Sequence, residues 1–258
     1  MQLIAFLIFI AIALYAFYFF AKQSKSTKGN ALEPVDTKLL EEHVLFYQLL
    51  DADGKAAFED DVHFFLSHTR ITGVDTKVEE LDRLLIASAA CIPIFHFKKW
   101  RYYNLKEVLL YSDAINHRFE SRGSTNRNIL GMVGEGVYNN TMFLSKASLR
   151  QGFRNQSDKH NTAIHEFVHL IDKADGDTDG IPELLLDKKY VLPWMNLIHE
   201  NMLQIAKGKS DINEYSYTNK AEFFAVVSEY FFERPQLLED KHPDLYNMLA
   251  EMFEVTDN

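Results

Sequence analysis

The chain has 258 residues, 47% of them hydrophobic and 25% charged, which suits one large domain or two small ones around a real core. Its formal charge is −10, from 27 basic against 37 acidic residues, and that excludes a nucleic-acid binder working through a broad basic face. Cys91 is the single cysteine, so an intrachain disulfide and a cysteine-rich metal site are also excluded; its Ala, Ile and Pro surroundings mark it as a buried small apolar residue.

The first element in chain order is the uncharged run Leu3 to Ala21, LIAFLIFIAIALYAFYFFA. At about 1.5 Å per residue it reaches roughly 28 Å, the thickness of a bilayer core. No positive charge precedes it beyond the chain's own amino group, whereas Lys22, Lys25 and Lys28 follow it. A cleaved secretory signal has the opposite layout, and lysines collect on the cytoplasmic flank. The expectation is a transmembrane helix over 1–21, a polar linker over 22–34, and a domain over 35–258. The protein is then single-pass in the cell membrane, with its catalytic domain on the cytoplasmic side.

Helical spacing of apolar residues follows over Thr37–Leu50, Gly54–Ser67 and Lys77–Ala90, the last ending near Pro93. Phe95–Tyr103 and Val108–Tyr111 read as short strands, as does Val137–Leu144, with Ser145–Gln151 as its exit. Further helices are expected over Ser157–Ala174, Leu192–Lys207, Asn219–Phe232 and Pro243–Phe253. The fold class is α+β: mostly helical, with a small sheet on one side.

The chemistry lies in the fourth of these helices, where NTAIHEFVHLIDKADG contains H-E-x-x-H. His165 and His169 are four apart, so their imidazoles share one side of a helix and can grip one ion. Neutral imidazoles suit Zn²⁺. Glu166 lies about 100° further round, where it can take a proton from a metal-activated water without filling a ligand position. Ile164, Phe167, Val168 and Ile171 form the buried stripe beside them. Asp172, three residues after His169, is placed to orient an imidazole from outside or to lie solvated at the helix end. The loop DGDTDGIPE, from Asp175 to Glu183, begins like a calcium loop but has Leu186 where such a loop needs Glu. An acidic loop beside a cleft would favour substrates with a free amino group.

A catalytic zinc needs a third protein ligand. Glu183, Glu200, Glu214, Glu222 and Glu229 are the downstream candidates. Glu222 and Glu229 lead because both sit on the apolar helix AEFFAVVSEYFFERP, although Asn219-x-x-Glu222 is equally the pattern of a capping box.

HEFVHLID followed by AEFFAVVSEYFFERP resembles the Mlc titration factor family of zinc metallopeptidases. The likeness extends through LLIASAACIPIF, VLLYSDAI and MFLSKASL, nearly the whole body. YSYTNKAEFFA is similar to the catalytic domain of anthrax lethal factor. The resemblance implies a gluzincin-like fold, Zn²⁺ on His165, His169 and Glu222, and Tyr215 as the donor that steadies the oxyanion, with Tyr217 its nearest competitor. It also implies substrate pairing along an edge strand near Met142, Phe143 and Leu144, with loose sequence preference.

The expected function is a zinc peptidase acting on a peptide or protein substrate, of the aminopeptidase type that the resemblance implies. Its competitor is a membrane-tethered binding protein that sequesters a transcriptional regulator around a structural metal; the general base Glu166 speaks against that, since a structural site needs none. The remaining histidines, His160 among them, have no partner at metal spacing and read as surface or core-edge residues.

Overall fold

A computed structural model describes residues 34–97, 100–115, 130–134, 136–155, 158–183 and 185–254, apart from the side chain of residue 137. The expected membrane helix and nearly all of the linker lie outside these residues. Among the described residues no helix is long and apolar enough to cross a membrane.

The body opens with α1 (Thr37–His43), α2 (Leu45–Leu49) and α3 (Ala52–His68). The single helix expected over Thr37–Leu50 is broken at Val44, whose extended backbone (φ −121°, ψ 96°) lets Leu40, Val44 and Tyr47 all turn inward. Asp36 and Asp51 cap α1 and α3 by accepting backbone N–H groups. Strand β1 (Arg70–Val74), which the sequence pattern did not suggest, leads into α4 (Glu80–Cys91). That helix is buried nearly all round, Cys91 included, as its composition implied.

A 3-10 turn (Ile92–Ile94) with Pro93 inside it precedes the segment expected as a strand over Phe95–Tyr103, and none of that segment's described residues is in a strand. Phe97 N–H and Trp100 N–H bond three residues back, and Tyr102 OH donates to Ala90 C=O. The aromatic residues there fill gaps beside Phe46, Phe58 and Phe167, so their hydrophobicity serves packing and not a ladder.

Strands β2 (Glu107–Tyr111), β3 (Gly131–Val133) and β4 (Thr141–Ser145) complete a four-stranded mixed sheet in the order β1-β2-β4-β3. β1, β2 and β4 run parallel, and β3 is antiparallel to β4, with Met132 opposite Phe143. The expected strand over Val137–Leu144 begins only at Thr141, after a 3-10 turn over Gly136–Tyr138. Its exit is a full helix, α5 (Lys146–Arg154), capped by Ser145.

The two helices that carry the motifs form the centre of the body. α6 (Thr162–Asp172) and α8 (Lys220–Glu233) pack together, with Phe167, Val168, Phe223, Phe224 and Val227 fully buried. Between them in sequence run α7 (Lys188–Ala206), which begins before Pro193, and a 3-10 turn (Glu214–Tyr217). α9 (Pro235–Lys241) and α10 (Pro243–Phe253) close the chain, each with Pro in its first turn. The architecture is α+β, mostly helical with a small mixed sheet.

Candidate metal centre

α6 starts at Asn161, whose side chain accepts from Ile164 N–H, and its apolar stripe is anchored in the core. That anchoring turns His165, Glu166 and His169 to one side. α8 starts at Asn219, whose side chain accepts from Glu222 N–H at 2.9 Å. Only that half of the capping pattern is built. The Glu222 carboxylate instead reaches across to α6, with Oε2 3.0 Å from His165 Nε2 and 3.5 Å from His169 Nε2. The two Nε2 atoms are themselves 3.1 Å apart. His165, His169 and Glu222 form the group among the described residues able to hold a metal ion between them.

The outer face of His165 is held by a residue that sequence reasoning weighed only as a direct ligand. Glu229, two turns along α8 from Glu222, is buried and places Oε1 2.6 Å from His165 Nδ1. Its other oxygen accepts from Asn161 N–H at 2.8 Å, and His160 Nδ1 lies 3.8 Å away. His160 is a surface histidine outside the metal group, as expected, but it stands near Glu229. Helical geometry could not place it, because α6 begins only after it. The one sequence signal for Glu229 was its seven-residue offset from Glu222, which puts both on one helix face.

A carboxylate only accepts, so Nδ1 of His165 carries the proton and Nε2 presents a lone pair. That lone pair faces the lone pairs of Glu222 Oε2 and the His169 ring at hydrogen-bond distance, an arrangement that calls for positive charge in the middle. A proton on Nε2 answers the same demand for positive charge, as titration shows. Burial disfavours a charged His165, yet Glu222 and Glu229 pull it up to about 10. Burial likewise opposes charge on Glu222, but the two imidazoles hold it down at about 2. The donor set, two imidazoles and one carboxylate inside a ring of acidic groups, fits a divalent ion.

Glu166 is buried beside this pair, and its carboxyl is raised above the usual range by burial, which outweighs the pull of His165 and His169. Tyr215 stands on the 3-10 turn, half exposed, its ring centroid 6.2 Å from that of His165. Burial and then the charges of Glu222 and Glu166 raise its phenol, so it stays protonated at neutral pH. Tyr217 makes no ring contact with either imidazole among the described residues.

Two expectations are corrected. Met142, Phe143 and Leu144 do not lie on an edge strand: β4 is paired on one side by β2 and on the other by β3, and all three residues are buried. The edge strands among the described residues are β1 and β3, and β3 runs beside Glu166. Asp172 does not bond an imidazole. Its Oδ2 accepts from Gly180 N–H, while its Oδ1 and His169 Nδ1 are both buried without a partner. In the acidic loop, Asp175 and Asp179 accept N–H groups of their own loop.

Paired imidazoles on a buried helix, a carboxylate from a second helix and a buried glutamate between them are the features of a metallopeptidase-like protein. The comparison with known sequences gives the same class. The model of the glucose-regulated metallo-peptidase M90 family matches residues 19–254, and the chain belongs to that family. It is 26% identical over 245 residues to an uncharacterized protein of Synechocystis sp., slr2042, covering 90% of this chain and 87% of that one. It is 25% identical over 244 residues to Mlc titration factor A of Enterobacter sp., covering 90% and 89%. Against Mlc titration factor A of Escherichia fergusonii it is 27% identical over 201 residues, covering 73% and 74%.

Proposed function

We propose that this protein is a zinc peptidase of the aminopeptidase type, with His165, His169 and Glu222 as the metal ligands. The observation that carries the reading is the convergence of three lone-pair atoms from two helices with a buried glutamate alongside. When bound there, zinc supplies Lewis-acid polarisation of the scissile carbonyl and acidifies the attacking water.

The chain's own residues do the rest. Glu166 takes the proton from the water and later gives it to the leaving amine, and its raised pKa suits a group that must do both. Tyr215 donates its phenol O–H to the oxygen that becomes negative. An extended peptide pairs with β3, the strand next to Glu166, through main-chain bonds that read little sequence. The domain over 35–258 is tethered by the linker over 22–34 to a membrane helix over 1–21, and faces the cytoplasm.

The names of the Mlc titration factor A relatives favour a second role, binding the Mlc regulator; on that reading the metal is structural. The two readings separate on Glu166→Gln. The peptidase reading expects that variant to keep its zinc, by metal analysis, and to lose turnover in a peptide-library digest. Undiminished cleavage would remove Glu166 from the chemistry, and cleavage absent from the wild type would leave the binding role.

A further inference from the structure

We propose that Glu229 is a positioning residue: a carboxylate outside the ligand set that fixes the His165 imidazole and ties it to the turn bearing Tyr215. The inference rests on the metal-site reading above and adds a residue to which that reading gives no task.

The geometry is specific. Glu229 Oε1 lies 2.6 Å from His165 Nδ1, so the ring is held in the tautomer that points its Nε2 lone pair at Glu222 and His169. Glu229 Oε2 accepts from Asn161 N–H, at the N-terminus of α6 where unpaired backbone N–H groups favour an anion. One side chain thus anchors both a ligand and the start of the helix that carries it. Because Glu222 and Glu229 share α8, the direct ligand and the orienting carboxylate move together.

The network continues beyond Glu229. Asn213 Oδ1 accepts from Tyr215 N–H, which leaves Asn213 Nδ2 to donate to His160 Nε2 at 3.1 Å. His160 must then carry its proton on Nδ1, the atom 3.8 Å from Glu229. A chain of polar contacts therefore runs from the backbone under Tyr215, through Asn213 and His160, to Glu229 and His165. Glu229 thus acts on the His165 ligand directly and on the turn under Tyr215 through the longer contact to His160.

Zinc affinity of the full-length chain, measured by competition with a chromophoric chelator, tests this without any peptidase assay. Glu229→Gln should weaken zinc by about 10- to 100-fold, the usual effect of losing an orienting carboxylate. Glu233→Gln is the control. Glu233 bonds the Asn161 side chain at 3.1 Å and no imidazole among the described residues, so this variant should bind zinc as the wild type does. Equal affinity of Glu229→Gln and wild type, or an equal loss in both variants, would overturn the assignment. Should Glu229→Gln fail to fold, nitrogen-15 NMR of the zinc-loaded wild type decides: His165 must show a slowly exchanging Nδ1–H and metal at Nε2, and the reverse tautomer defeats the proposal. A wild type that binds zinc in this way yet cleaves no peptide would count against the peptidase reading and leave the role of Glu229 standing.

Discussion

Gly131 shows how closely the walls of the site are fitted. A Cβ built there would stand 2.7 Å from both Cγ and Oε1 of Glu166, and 2.8 Å from the Thr162 methyl. Glu166 is 6% exposed, so its carboxylate has little room to retreat. Gly131→Ala should therefore displace Glu166, the proposed base, without touching a proposed ligand. The expected result is a kcat lowered roughly 10- to 100-fold, in line with the cost of misplacing a reacting group by about 1 Å, with zinc content unchanged. An unaltered kcat would show that the carboxylate has freedom that the packing denies. The asymmetry in what the sequence disclosed has the same origin. His165, Glu166 and His169 were legible because a helix fixes the relation of neighbours four apart. Gly131 reaches the site only through tertiary packing, which its residue type does not signal; Glu229 shared a helix face with Glu222, but the sequence could not show that it meets Nδ1 of His165 from outside the ligand set. Asp172 was misjudged because sequence spacing put it near His169, while Gly180 N–H, eight residues away, took one of its oxygens.

At the level of elements, the site depends on where α8 begins. Gly180 sits under that start, with φ +77°; its N–H goes to Asp172 at the end of α6, and its C=O accepts from Trp194 of α7. A Cβ on it would fall 2.3 Å from Lys220 C=O, which is backbone and cannot swing aside. Gly180→Ala should cost at least ~1–2 kcal/mol for the left-handed conformation alone. The collision with Lys220 adds to this, so thermal melting should fall by several degrees. Because Glu222 lies two residues after Lys220, zinc binding should weaken as well; a lower melting point with intact zinc affinity would mean that α8 absorbs the change ahead of its ligand. The apolar period that revealed α6 and α8 belongs to the helix itself, so those elements were readable. The aromatic-rich segment after Pro93 was not, since the same residues that favour a strand also fill a core, and the turn containing Pro93 decided between them. β4 was found, but its place in the sheet was not: strand order follows from the pairing of β2 and β3 against it, which no local pattern records.

Across the whole body, the loop before the Tyr215 turn is pinned by one charge. Asp211 accepts from Lys159 Nζ at 2.8 Å, Tyr230 OH at 2.9 Å, Lys241 Nζ at 2.9 Å and His242 Nε2 at 2.8 Å. These partners come from the segment before α6, from α8, and from the end of α9 with the residue that follows it. Burial works against the charge on Asp211, but the four donors outweigh it and hold its carboxyl well below the ordinary aspartate range. The sign follows from linkage. The unfolded chain takes up a proton near the ordinary value of about 3.9, before the folded chain does, so acid favours unfolding at this group. Its contribution is fully present above that value and is lost as pH falls below it towards the depressed folded value. Asp211→Asn should therefore melt lower than the wild type at pH 7, and the gap should narrow steadily below about pH 4. The other carboxylates titrate in both proteins and cancel from the difference. Melting curves of the pair between pH 7 and pH 3 measure it, and a gap that stays constant over that range would assign the loss to packing around the loop and not to the charge of Asp211.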